Sequence, residues 1–183
     1  LGPAQTVLSE PWHLSYPNVF KIDGQWYMIP ESGAAEVVNL YVATSFPSSW
    51  TRVRTILSGV HAYDVTHLHH DGLWWFFATV STVAAGSSCD DLFIYHTDDP
   101  IYGELQPHAA NPVVSDITSA RPAGAFLKVG QRILRPSQDS RAYYGFGLLF
   151  NEVVKLTPTE YEERPLRRIL PGGADGHSWK GVH

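Results

Sequence analysis

The stretch "HAYDVTHLHHDGLWWFFATV", residues 61–80, repeats the pattern of "HLSYPNVFKIDGQWYMIPES", residues 13–32. His13 and His61 stand 48 residues apart, as do Tyr16 and Asp64, and as do the Asp-Gly pairs at 23–24 and 71–72. Asp-Gly between two β-rich runs is the signature of a two-residue hairpin turn. Each copy therefore reads as a hairpin whose first strand begins at Tyr in one case and Asp in the other.

A third copy runs "RPAGAFLKV", a turn near Gly130, then "QRILRP". The turn glycines Gly24, Gly72 and Gly130 are 48 and then 58 residues apart. Further strands follow each hairpin: "NLYVATS" and "WTRVRTIL", then "DLFIYHT" with an indistinct fourth between Gly103 and Val114, then "AYYGFGLLFNEVVKL" and "PLRRIL". A hairpin plus two strands, repeated at this period, predicts β-propeller blades. The chain reads as one all-β domain with blades of four antiparallel strands over about 13–57, 61–114 and 120–170. Strand stubs are expected at 5–10 and 175–183, because "VLSEPWH" and "RILPGGADGH" echo "TILSGVHAYD". Three blades do not close a ring, so the chain is expected either to belong to something longer or to associate with its own copies.

In "LWWFFATV" the period of two sends Trp74 and Phe76 to one face and Trp75 and Phe77 to the other. Both faces of a blade meet neighbours, so these rings are expected as glue between blades. Composition excludes several roles. A formal charge of −5 argues against nucleic acid or an acidic membrane surface as partner. No window approaches the ~20 apolar residues of a membrane span. No signal-peptide pattern is visible and Cys89 is the single cysteine, which favours a reducing, cytoplasmic location; the start without Met is expected of a chain processed or excised from something longer. Phosphate loops, dinucleotide fingerprints and nucleophile elbows are missing, and no cofactor is expected. His67 and His69 share a strand face, but no carboxylate is spaced to complete a metal site, and none is expected.

The segments "HLSYPNVF", "GQWYMIPES", "FPSSW", "DGLWWFFAT", "NPVVSD", "ARPAG", "LRPSQD", "YYGFG" and "LTPTEYEE" occur in this order. Together they resemble the N-terminal domain of glucosamine inositolphosphorylceramide transferase, which is similar in fold to five-bladed propeller glycosidases of the arabinanase, xylosidase and invertase kinds. The resemblance implies a partial five-bladed propeller lacking the first blade, and a carbohydrate-related role. The resembling glycosidases place carboxylates at three strand mouths as base, acid and a residue that tunes the acid. Of the aligned mouths here only Asp64 is a carboxylate; Tyr16 holds one, and Arg121 another if the third unit carries one extra residue.

Asp64 is accordingly the first catalytic candidate, with a turn cap as its structural alternative. Glu31, ending the return strand in "IPES", is the second; it can face the cleft or solvent. Arg121 offers a fork for a carboxylate or phosphate, or an ion pair with Asp64 or Asp116. Arg135, Gln138 and Asp139 of "LRPSQD" can hold sugar hydroxyls or pin one blade to the next. His13 is a ligand-contact candidate and Trp12 beside it a stacking platform. The leading expectation is a carbohydrate-recognition or glycan-processing module that takes a sugar or sugar phosphate at the axial mouth. The alternatives are a glycosidase-like hydrolase using Asp64 with a second carboxylate, and an interaction module joining through exposed blade edges.

Overall fold

The computed structural model describes residues 3–81, 86–172 and 181. Three antiparallel sheets account for these residues, each a propeller blade. Blade I is β1 (Ser15–Ile22), β2 (Gln25–Glu31), β3 (Val37–Ser45) and β4 (Ser49–Ser58), hydrogen-bonded in chain order. Blade II is β5 (His61–His70), β6 (Leu73–Ser81), β7 (Asp91–Thr97) and the short β8 (Gln106–Pro107) and β9 (Val114–Ser115). Blade III is β10 (Leu127–Val129), β11 (Arg132–Asp139), β12 (Gly147–Leu156) and β13 (Tyr161–Ile169). The only helical element among the described residues is a 3-10 turn at Gly33–Ala35, and no helix there is long and apolar enough to cross a membrane.

The hairpin turns follow from the residues that make them. Asp23-Gly24 and Asp71-Gly72 have positive φ at both residues, 48° and 86° in the first and 50° and 75° in the second. That backbone matches the right-handed twist of the flanking strands. In the third turn only Gly130 has positive φ, at 62°.

The fourth strand of blade II, indistinct in the sequence, is split. β8 pairs with Tyr95 and His96, and β9 with Asp91 and Leu92, which leaves Phe93 and Ile94 between them. The side chain of Asn111 fills part of that gap. Its Oδ1 accepts the Ile94 N–H at 2.8 Å, and its Nδ2 donates to the Ile94 carbonyl at 2.8 Å. A side-chain amide thus stands in for a strand residue, and the buried ladder stays satisfied.

Two cores lie between the blades. Phe20, Ile29, Leu40 and Ile56 of blade I pack against Val65, Phe76 and Ala78 of blade II, with Trp74 at the edge. Leu68, Trp75, Phe77 and Ile94 of blade II pack against Ala120, Ile133 and Leu156 of blade III. The alternation in "LWWFFATV" therefore delivers Trp74 and Phe76 to one interface and Trp75 and Phe77 to the other.

Two strand limits differ from the sequence reading. β12 begins only at Gly147; Gly145, expected inside a strand, lies in the preceding turn with φ of 76°. Gly147 stands at a crowded point, since a Cβ there would sit 2.8 Å from the Ile169 carbonyl oxygen. β13 starts at Tyr161 rather than near Pro165, because Glu163 must face inward to meet Arg135. Residues 5–10, expected as a strand stub, form no ladder, and Glu10 instead accepts a hydrogen bond from the Tyr41 hydroxyl at 2.7 Å. The stub expected at 175–183 lies outside the described residues apart from Gly181.

Candidate functional site

Tyr16 and Asp64 occupy one structural slot in two blades. Each sits at a β-bulge in the innermost strand, where the pairing slips between Ser15↔Glu31 and Asn18↔Ile29 in blade I, and between Tyr63↔Thr79 and Thr66↔Phe77 in blade II. Both hold a left-handed backbone, φ 41° at Tyr16 and 52° at Asp64. Such a conformation is uncommon for a residue with a side chain and re-aims that side chain out of the pleat. Blade III reaches the same place differently. Pro122 bridges to Ser137, and the slip before Leu127↔Leu134 takes up two residues instead of one. Positive φ there falls on Gly124, not Arg121.

The returning strands contribute a second matched set. Glu31 and Thr79 oppose Ser15 and Tyr63, and the Gln138 N–H donates to the Arg121 carbonyl at 2.8 Å. The mouth therefore gathers side chains from all three blades.

Asp64 is at the centre, with 2 % of its surface exposed. Arg121 Nε donates to Asp64 Oδ2 at 2.6 Å, and Gln138 Nε2 donates to the same oxygen at 3.2 Å. Arg121 Nη1 donates to the Ser88 carbonyl at 3.2 Å and to its hydroxyl at 2.8 Å, while Nη2 lies 3.6 Å from Glu31 Oε2. The guanidinium also lies over two rings, 5.5 Å from the Tyr63 centroid and 4.9 Å from that of Tyr144. The Glu31 and Asp64 carboxyls are close enough to share a hydrogen bond. Burial, the Asp64 charge and that hydrogen bond raise the Glu31 pKa to about 7, against the pull of Arg121 and of the Ser15 hydroxyl. Near neutrality Glu31 thus holds a proton part of the time.

Tyr16 borders this group. Thr66 donates its hydroxyl proton to the Asp64 carbonyl at 3.0 Å, so it accepts from the Tyr16 hydroxyl at 2.8 Å. A cavity of ≈ 340 Å³ adjoins, lined by Tyr16, Pro17, Asn18, Val19, Gly124 and Ala125. Tyr16 is the one residue common to the cavity wall and the carboxyl cluster; Asp64, Glu31 and Arg121 do not line it.

The remaining candidates go elsewhere. Arg135 is fully buried and pairs with Glu163 through Nε at 2.7 Å and Nη2 at 2.6 Å, and Nη2 also reaches the Ser119 carbonyl at 2.7 Å. Asp139, also buried, meets Arg141 at 2.8 Å and Arg168 at 3.0 Å. Only Gln138 of the "LRPSQD" set touches the cluster. Trp12 and His13 precede β1 and make no hydrogen bond to the cluster among the described residues; His13 is exposed. His67 and His69 both lie against Trp74, at 6.0 and 4.8 Å between ring centroids. Burial lowers the His67 pKa to about 4. Among the described residues no group of three or more His, Cys, Asp or Glu is placed to hold a metal ion.

Three members of the cluster escaped the sequence reading. Tyr63 is next to Asp64 but shows no signal of its own. Tyr144 stands in a Tyr-Tyr-Gly turn, which marks an aromatic loop after β11 without saying where it lands. Ser88 lies between β6 and β7 and reaches the mouth only through the tertiary fold.

Comparison with known proteins agrees with this architecture. The chain overlays an exo-β-1,3-galactanase from Phanerochaete chrysosporium with a TM-score of 0.65 at 9% identity, covering 92% of this chain and 41% of that one. An α-L-arabinofuranosidase from Lactobacillus brevis gives 0.64 at 14% identity, covering 88% and 55%. At such identities these likenesses establish the fold alone. By sequence, the chain is 34% identical over 178 residues to glucosamine inositolphosphorylceramide transferase 1 of Oryza sativa subsp. japonica, and 35% identical over 184 residues to that of Arabidopsis thaliana. These matches cover 96% and 98% of this chain and 24% of each relative, so the chain spans about a quarter of their length. The family model described as glucosamine inositolphosphorylceramide transferase 1, N-terminal, matches residues 3–183, and the chain belongs to that family.

Proposed function

We propose that this chain is a glycan-recognition module that takes its ligand at the mouth where the three blades meet. The observation that carries the reading is the convergence of Glu31, Asp64, Arg121 and Gln138, from three blades, on one hydrogen-bonded cluster. Such a cluster presents donors and acceptors together, as hydroxyl recognition requires. The relatives' name, a transferase of glucosamine, and the galactanase-like fold support a carbohydrate ligand.

Recognition is favoured over hydrolysis by the geometry of the carboxyls. Glycoside hydrolysis needs two carboxyl groups about 5 Å or more apart, with the sugar between them. Glu31 and Asp64 are in hydrogen-bond contact, and Asp64 is held by Arg121 and Gln138. The test is a thermal-shift series with neutral monosaccharides and β-linked disaccharides, run beside an aryl-glycoside hydrolysis assay. Raised melting temperatures without turnover support recognition. Turnover that Asp64→Asn abolishes would replace it with the hydrolase reading.

A second reading rests on a separate observation. Blade III leaves Leu127, Val129, Val154 and Leu166 exposed, which suits association with a further blade or a second copy. Light scattering distinguishes a dimer or larger assembly from a monomer.

A further inference from the structure

We infer that the mouth selects an uncharged sugar and rejects its phosphate, with the ring of Tyr144 as the platform on which the sugar stacks. This rests on the recognition reading and narrows it to one class of ligand.

Arginine recognises phosphates and carboxylates through an open fork of N–H donors. Two of the three nitrogens of the Arg121 fork are already hydrogen-bonded, and the third faces a carboxyl. Nε is held by Asp64, Nη1 by the carbonyl and hydroxyl of Ser88, and Nη2 faces Glu31. The guanidinium carbon lies over the rings of Tyr63 and Tyr144, 5.5 and 4.9 Å from their centroids. Nε and Nη1 are spent and Nη2 points at a carboxyl 3.6 Å away, so an anion would have to displace Glu31 to claim the remaining donors. The carboxyls beside the guanidinium are those of Glu31 and Asp64. A phosphate dianion would enter beside like charge, and could do so only by raising the proton affinity of Glu31 still further.

What remains is suited to hydroxyl groups. The Glu31 side chain keeps 11 % of its surface exposed and offers both a proton and an acceptor at neutral pH. The Gln138 amide oxygen is buried without a hydrogen-bond partner, its nitrogen being shared among Asp64, the Pro122 carbonyl and the Tyr144 hydroxyl. Tyr144 is 56 % exposed although its ring packs on Arg121. An exposed ring fixed in place by a buried cation is a rigid surface for the C–H face of a sugar.

The test compares glucose, galactose, xylose and N-acetylglucosamine with the 1-phosphate of each, and with inorganic phosphate, by saturation-transfer NMR and competition on the full chain. At least one uncharged sugar should bind at least tenfold more tightly than its 1-phosphate, and inorganic phosphate should not compete. Tyr144→Ala should weaken that sugar by tenfold or more, while Tyr144→Phe keeps the ring and the affinity. Binding of a sugar phosphate or of inorganic phosphate above the neutral sugar would overturn the selection while leaving recognition intact. Unchanged affinity in Tyr144→Ala would remove the platform. If none of the probes binds, the recognition reading fails, and this inference fails with it.

Discussion

Arg121 Nε meets Asp64 Oδ2 at 2.6 Å, joining blade III to blade II across 57 residues of chain, with both side chains buried. Such a pair is costly to break from one side, because the surviving charge is left in a poor dielectric.

Asp64→Asn should therefore lower stability by about 3 kcal/mol. Part of the loss is recoverable, since Glu31 lies 3.6 Å from Arg121 and can ionise in its place. Its pKa should then fall from about 7 towards the ordinary carboxylate range. Carboxyl ¹³C titration of the variant reads this directly; a Glu31 pKa that stays near 7 would show that Asp64 does not hold it there. Combined with Glu31→Gln, no carboxylate remains beside Arg121, and the double loss should exceed the sum of the single ones in a mutant cycle.

The pH dependence of stability carries two opposing contributions. Glu31 has a folded pKa raised from 4.5 to about 7. Between those values the folded chain binds the extra proton, so the Glu31 contribution is full below about pH 4.5 and is lost as pH rises through 7. His67 has a folded pKa lowered from 6.5 to about 4. Over that interval the unfolded chain binds the extra proton, so stability from His67 grows as pH rises. The two nearly coincide in pH and offset each other in the parent chain. Urea denaturation between pH 4.5 and 6.5 should show Glu31→Gln gaining stability with pH and His67→Gln losing it. Parallel curves for the two variants would refute the assignment.

Asn111→Ala removes the amide that completes the ladder at Ile94. The N–H of the fully buried Ile94 loses its partner, at about 1–3 kcal/mol for a group left unsatisfied, while its carbonyl keeps the His108 N–H at 2.9 Å. Amide exchange at Ile94 should quicken more than at Phe93 or Tyr95.

Arg135 and Glu163 are expected to act in stability alone. Arg135→Met leaves Glu163 buried with the Tyr161 hydroxyl and should cost about 3–5 kcal/mol. Adding Glu163→Leu should restore much of it, with sugar affinity unchanged throughout. A binding defect in the double variant would move this pair into the recognition machinery.

Much of the blade architecture was legible because it is local. Asp23-Gly24 and Asp71-Gly72 fix hairpins within four residues, and the period of two in "LWWFFATV" assigns each ring to an interface. The equivalence of Tyr16 and Asp64 was also legible, since their common bulge repeats at the same offset from the turn. The contact of Glu31 with Asp64 was not, because it depends on how one twisted sheet leans on the next. Ser88 and Tyr144 arrive on loops, whose landing points no strand pattern encodes. The start of β13 was hidden for a related reason: Glu163 reads as a surface charge until its buried partner Arg135 is known.

The divided outer strand of blade II has a bearing on self-assembly. Chains that stack strand upon strand need a continuous row of unpaired backbone groups to copy. β8 and β9 offer two residues each, and Asn111 has capped the position between them. Growth from the rim of blade II is thereby blocked without any charged residue in the gap. The rim of blade III is guarded by other means: Pro165, which lacks an N–H, and the charges of Glu162, Arg164, Arg167 and Arg168. The ten-residue β4 of blade I is the longest of the outer strands, and fibre-like addition, if it occurs, should begin there.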